Sequence, residues 1–112
     1  MWLYADIKTL ADIPRYYAKK KGADTALIGI TERRVSWSEL DEASNRVANV
    51  ILESGARQGA HISFLGKNSI EYFEVLFGAN KVGCAILALN WRLTAGELAV
   101  VVEDAQTPLI FV

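Results

Sequence analysis

The sequence is poor in the residues that most often carry chemistry. One cysteine, Cys84, and one histidine, His61, stand among 112 residues, so no disulfide framework and no thiolate or imidazole metal set can be assembled. A lone cysteine inside an apolar stretch points to a reducing compartment, and the cytoplasm is the expected location. Neither sign of charge is in excess: 12 Lys and Arg stand against 13 Asp and Glu, for a net charge of -1. That balance lacks the electrostatic footprint of a nucleic-acid or anionic-membrane binder, so no nucleic-acid partner is expected. The one basic run, Lys19-Lys20-Lys21, falls at the end of an expected helix, where cations complement the dipole. No apolar run approaches the roughly 18 residues that cross a bilayer, so no integral membrane segment is expected. Asp6 and Asp12 interrupt any signal-peptide pattern. Repeats and low-complexity linkers are absent as well. Residues 1–112 therefore read as a single α/β unit whose 52% apolar content is enough for a core.

What is present is organised around residues 60–90, a strand, helix and strand in succession. Ile62, Phe64 and Leu65 form an apolar run too short for a helix, and Gly66 then turns the chain. Asn68 with Glu71 three residues later reads as a capping box, so a helix is expected from about Ser69. Ile70, Phe73, Phe77 and Lys81 recur along it at helical spacing, beside Val75, Leu76 and Val82, and Gly83 closes it. Residues 84–89 are almost wholly apolar, as in a parallel strand covered on both faces.

Upstream, residues 9–22 are expected to form a helix. Pro14 is tolerated only in its first turn, which favours Asp12 as the cap. Residues 26–31 and 34–37 are β-type runs on either side of Glu32 and Arg33, predicting an antiparallel hairpin. Ser36 and Glu39 make a second capping box, followed at helical spacing by Leu40, Ala43, Val47, Val50 and Ile51 up to Gly55. Thr94 and Glu97 make a third, ahead of Leu98, Val101 and Val102, with Gly96 weakening that helix by up to about 1 kcal/mol. Residues 109–112 are the last strand. The order predicts an α/β fold with a mainly parallel sheet, flanking helices and an N-terminal hairpin. Ligands of such folds lie at the carboxyl ends of strands, here Gly66-Lys67-Asn68-Ser69 and Asn90-Trp91-Arg92.

The familiar phosphate motifs are missing. Gly66-Lys67 would need a glycine five positions earlier and Ser or Thr after the lysine, where His61 and Asn68 stand, and GxGxxG does not occur. Lys67 thus reads as a solvated loop lysine, His61 as structural and Cys84 as packing. Ser36 and Ser69 read as caps. Glu71, Glu74, Glu97 and Asp104 lie apart on helical faces, with no carboxylate pair for acid–base work. No catalytic and no metal-binding residue is assigned.

The order of three short motifs carries further. Val35-Ser36-Trp37-Ser38-Glu39-Leu40 resembles the "TYxEL" stretch of acyl-CoA synthetases of the adenylate-forming, AMP-binding family. Asn68-Ser69 with Glu71-Tyr72 resembles its "NSxEY". Lys81-Val82-Gly83 with Asn90-Trp91-Arg92-Leu93 resembles its "KxGAxxxPLNxRL". One departure is Ala88, where that family carries proline. The resemblance covers almost the whole chain and implies the N-terminal part of an enzyme that activates a carboxylate with ATP and passes the acyl group to coenzyme A. It implies ATP, magnesium and coenzyme A for the complete enzyme and none held by this chain alone. The family's Ser/Thr/Gly-rich phosphate loop, its acidic groups for ATP and magnesium and its adenylation lysine would follow Val112, so the chain by itself is expected to be inactive, with the remainder of the synthetase as its partner. Arg92, whose ordinary reading is a structural salt bridge, is the candidate here for contact with a nucleotide or coenzyme A phosphate. Incomplete cover over the apolar strands also predicts self-association. The alternative reading is a free-standing, non-catalytic binding or oligomerisation module of the same fold.

Overall fold

A computed structural model describes residues 5–112. Helix α1 (Asp12–Lys21) leads into strands β1 (Thr25–Ile28) and β2 (Arg34–Ser36), then α2 (Trp37–Glu53), β3 (His61–Leu65), α3 (Ile70–Lys81), β4 (Ala85–Leu89), α4 (Ala95–Ala105) and β5 (Ile110–Phe111). The α/β class and the order of elements are those expected. The hairpin pairs antiparallel but stands apart as a two-stranded sheet, while β4, β3 and β5 form a parallel sheet in the order β4-β3-β5.

The hairpin is held apart because α1 and α2 occupy it. The Trp37 N–H donates to the Asp24 carbonyl and the Ser38 N–H to the Gly22 carbonyl, each at 3.0 Å. Tyr17 stacks on Trp37 with centroids 4.7 Å apart. Val35, Leu40 and Ile70 form the small core under this corner. The larger core lies between the parallel sheet and the α2–α3 layer, where Ile62 and Phe64 meet Ile51, Val75 and Ala79. Alternate side chains of β3 face the other way, and there the buried Ser63 hydroxyl donates to Thr107 Oγ1 at 3.0 Å, tying β3 to the approach of β5.

Several local expectations are corrected. Asn68 is not the cap of α3; Ser69, in extended geometry, accepts the Tyr72 N–H at 3.2 Å. Glu71 does not close a box: with Ser69 as the cap the third helical position is Tyr72, and the Glu71 carboxylate meets the Arg33 guanidinium at 3.0 Å. Asp12 lies inside α1 rather than capping it: residue Ala11 precedes the helix with no side-chain cap, and the Asp12 carboxylate accepts the Lys8 and Thr9 N–H groups, each at 3.0 Å. β4 is not covered on both faces; among the described residues it is an edge strand with Ala85 and Ala88 exposed. β5 keeps only Ile110 and Phe111 of the expected run.

The Ser36–Glu39 and Thr94–Glu97 capping boxes are both present. Lys81, read as part of an apolar helical face, is buried there, its side chain 4% exposed and its ammonium bound to the Asp41 carboxylate and to Asn45 Oδ1. That contact joins α3 to α2. A buried ammonium persists only with such partners. No described helix is long and apolar enough to cross a membrane.

Candidate functional site

Register brings the two strand-end segments together. β3 and β4 pair in parallel as far as Leu65 opposite Leu89, so Lys67 and Trp91 leave the sheet side by side. Gly66 permits the turn after β3: a Cβ there would lie 3.0 Å from the Phe64 ring. After β4, the Asn90 carboxamide oxygen accepts the Arg92 N–H at 3.0 Å, and the Leu93 N–H donates to the Asn90 carbonyl at 3.1 Å. This is a self-bonded Asn turn. Thr94 then caps α4, so both ends of the short loop are fixed.

Trp91 is the centre of the site. The Lys67 ammonium lies 4.8 Å from its ring centroid and the Arg92 guanidinium 5.1 Å. Both fall within the range of cation–π attraction. Arg92 makes no structural salt bridge among the described residues, nor does Lys67. The nearest acids in sequence are otherwise engaged. Glu71 is paired with Arg33, and its carboxyl is held below the usual glutamate range by its own backbone N–H and by that guanidinium. Glu97 accepts the Thr94 N–H at 3.2 Å and the Thr94 hydroxyl at 2.9 Å. The strand ends therefore carry two cations with no carboxylate to neutralise them. Such a pair suits a phosphate or carboxylate.

The other singled-out residues lie elsewhere. His61 is exposed at the opposite end of β3, and its carbonyl accepts the Thr107 hydroxyl. Cys84 is buried with its Sγ 3.5 Å from the Arg57 carbonyl, a packing position. Lys20 and Lys21 rest on Tyr16 and Tyr17 of their own helix, at 5.7 and 5.2 Å from the rings. Among the described residues no three His, Cys, Asp or Glu side chains converge to hold a metal ion. The sequence singled out Arg92 as a candidate, set Lys67 aside as a solvated loop lysine and gave Trp91 no role of its own. The available signal was positional: each stands two residues beyond strands expected to be adjacent and parallel.

The AMP-binding enzyme family matches residues 15–112. A fatty acid–[acyl-carrier-protein] ligase of Streptomyces coeruleorubidus is 32% identical over 108 residues, covering 96% of this chain and 21% of that protein. A 3-hydroxybenzoate–CoA/4-hydroxybenzoate–CoA ligase of Thauera aromatica is 31% identical over 100 residues, covering 89% of this chain and 19% of its own length. The chain thus spans about a fifth of the curated relatives it matches. Among solved structures, a fatty acyl CoA synthetase of Mycobacterium tuberculosis superposes with a TM-score of 0.78 at 23% identity, over 94% of this chain and 21% of that one. At that identity the likeness concerns the fold.

Proposed function

Because the chain belongs to the AMP-binding enzyme family, we propose that it is the N-terminal portion of an ATP-dependent acid–CoA ligase. The complete enzyme joins a carboxylate to ATP as an acyl-adenylate, releasing pyrophosphate, and then passes the acyl group to the thiol of coenzyme A. The family match over residues 15–112 is the observation that carries this reading. The relatives' own names support an acyl-activating ligase and differ in the acceptor, an acyl-carrier protein in one and CoA in the other. Arg92 is assigned to a phosphate of the nucleotide or of coenzyme A, because its guanidinium stands at a strand's carboxyl end without a carboxylate partner.

In this reading the chain alone does not catalyse adenylation. Charge developing on a transferring phosphoryl group must be met by several convergent cations, N–H groups or metal ions, and the described residues offer one exposed pair. The remainder of the synthetase is the partner that completes the site, ATP, magnesium and coenzyme A belong to the completed enzyme, and the cytoplasm is its location. The isolated chain also self-associates, since Val100 and Val112 are 67% and 95% exposed and β4 and β5 are open edges among the described residues.

Acid-dependent ATP–pyrophosphate exchange tests the reading. The pure 112-residue chain should show none, whereas a protein in which residues 1–112 are followed by their full downstream coding frame should show exchange with one class of carboxylic acid. Exchange by the chain alone overturns the inactivity; absence from the longer protein with every acid class overturns the ligase assignment. Sedimentation at micromolar concentration tests self-association, and a sharp monomer overturns it.

A further inference from the structure

A second concavity, lined by none of the strand-end residues, lies where β2, α2 and α3 meet. It encloses about 320 Å³, and three arginines line it: Arg33 just before β2, Arg34 within it and Arg46 of α2. Glu39, Ala43 and Arg46 follow one another at helical spacing on one face of α2. The buried Val35 and Ala43 back the cavity, so its inner wall is packed and apolar. Charges against such a wall interact more strongly than in open water. They do not cancel in pairs. The Arg33 guanidinium is taken by Glu71 at 3.0 Å, and the Glu39 carboxylate accepts the Ser36 N–H at 3.0 Å. Arg34 and Arg46 make no ion pair or hydrogen bond among the described residues. Glu74 is the remaining acid in the lining and is bonded to neither of them. Burial and then the Glu71 charge raise its carboxyl against the opposing pull of Arg33 and Arg46, so its ionised form is the costly one here.

We propose that this cavity is an oxyanion site, separate from the strand ends, in which the Arg34 and Arg46 guanidiniums together hold one small phosphoryl anion. The site does not depend on the ligase reading. Each guanidinium presents a planar fork of N–H donors that engages two oxygens at once. A lone carboxylate has only two oxygens and is satisfied by one fork. A phosphoryl anion has oxygens for both, and its second negative charge answers the second guanidinium. The volume lies at the low end of small-molecule sites, which suits a compact inorganic anion and not a nucleotide. Glu74 competes with that anion for the two arginines, so neutralising its carboxyl favours binding.

Calorimetric titration of the 112-residue chain at low ionic strength with inorganic phosphate, pyrophosphate and malonate, each separately, tests the assignment. At least one of the two phosphoryl probes should bind with one-to-one stoichiometry and more tightly than malonate. Arg34→Gln and Arg46→Gln should each weaken that binding about tenfold, and Arg46→Lys should weaken it as well, since it keeps the charge and loses the fork. Glu74→Gln should tighten it about threefold. Thermal melts of the arginine variants should match the wild type, because both side chains are exposed; should a glutamine variant melt early, Arg34→Lys and Arg46→Lys carry the test. Absence of binding by both phosphoryl probes overturns the site. So does binding that is lost in Arg92→Gln and kept in Arg34→Gln and Arg46→Gln, which assigns the anion to the strand ends. Tighter binding of malonate overturns the phosphoryl class, and full retention in both lysine variants overturns the two-fork geometry.

Discussion

Helices α2 and α4 begin in the same way and end up in opposite situations. Each opens with a hydroxyl cap and a glutamate that returns to the cap's backbone N–H, Ser36 with Glu39 and Thr94 with Glu97. Yet α2 buries Leu40, Ala43, Ser44, Ala48 and Ile51, whereas α4 buries no residue among those described. A cap satisfies the orphan donors of a first turn and so sets where a helix starts. It says nothing about what the helix rests on. α2 lies against α1, the hairpin and α3, with Lys81 reaching across to Asp41 and Asn45; α4 connects two strands of which one is only Ile110–Phe111.

The comparison can be broken most sharply by deleting side chains on the two helices. Ile51 is 0% exposed in the main core, so Ile51→Ala should cost about 2–5 kcal/mol. Val100→Ala on α4 should change stability by no more than about 0.5 kcal/mol. Urea melts of both variants decide it, and comparable losses would mean that α4 packs as firmly as α2.

A smaller effect is expected where α2 and α3 touch most closely. A Cβ on Gly78 would lie 2.5 Å from Val47 Cγ1 and 2.9 Å from the Ser44 carbonyl oxygen. Gly78→Ala should therefore destabilise by about 1–3 kcal/mol through overpacking, although alanine is the better helix former. A stabilised variant in thermal unfolding would show that the two helices can move apart freely.

Cap removal sharpens the contrast further. Ser36→Ala should lower global stability by about 0.5–2 kcal/mol, because α2 is part of the core. Thr94→Ala removes the same chemistry from α4, so it should speed amide exchange in residues 95–98 while shifting the urea midpoint less than Ser36→Ala does. Equal midpoint shifts would place α4 in the same cooperative unit as α2.

Acid titration should give the smallest effect. The Glu39 carboxyl is held below the usual range by the Ser36 N–H and then by the Ser36 hydroxyl. Its folded pKa is depressed, so its contribution is full above the ordinary glutamate value of about 4.3 and is lost as pH falls through the folded value. Glu74 runs the other way: burial, then the nearby Glu71 charge, raise its carboxyl, so its contribution favours folding at low pH and is lost as pH rises through the raised folded value. Glu39→Gln should flatten the acid side of the stability profile and Glu74→Gln the side above it. Urea midpoints measured from about pH 3 to 7 check both; a profile unchanged by either substitution would remove these carboxyls from the pH dependence.

How much of this was legible in the sequence follows the range of the forces involved. Capping boxes at Ser36 and Thr94, the positive φ of Gly83 at 74° after α3 and the hairpin are local events, closed within a few residues, so spacing and residue type expose them. The cap of α3 was misplaced by one residue because Asn68 and Ser69 are both good caps. With Ser69 as the cap the third helical position is Tyr72, and Glu71 meets the distant Arg33 rather than a cap N–H. β4 read as a doubly covered strand because an apolar run has the same composition whether its neighbours are present or not.

The order of elements, the starts of α2 and α4 and the family motifs were thus legible in the sequence alone, since they rest on residue type and spacing between near neighbours along the chain. Tertiary structure decided the rest. That Lys81 is a buried anchor and not a solvated end, and that Lys67, Trp91 and Arg92 meet at one corner, depends on residues far apart in sequence. Only the packing of α3 on α2 and the parallel register of β3 with β4 bring them within reach.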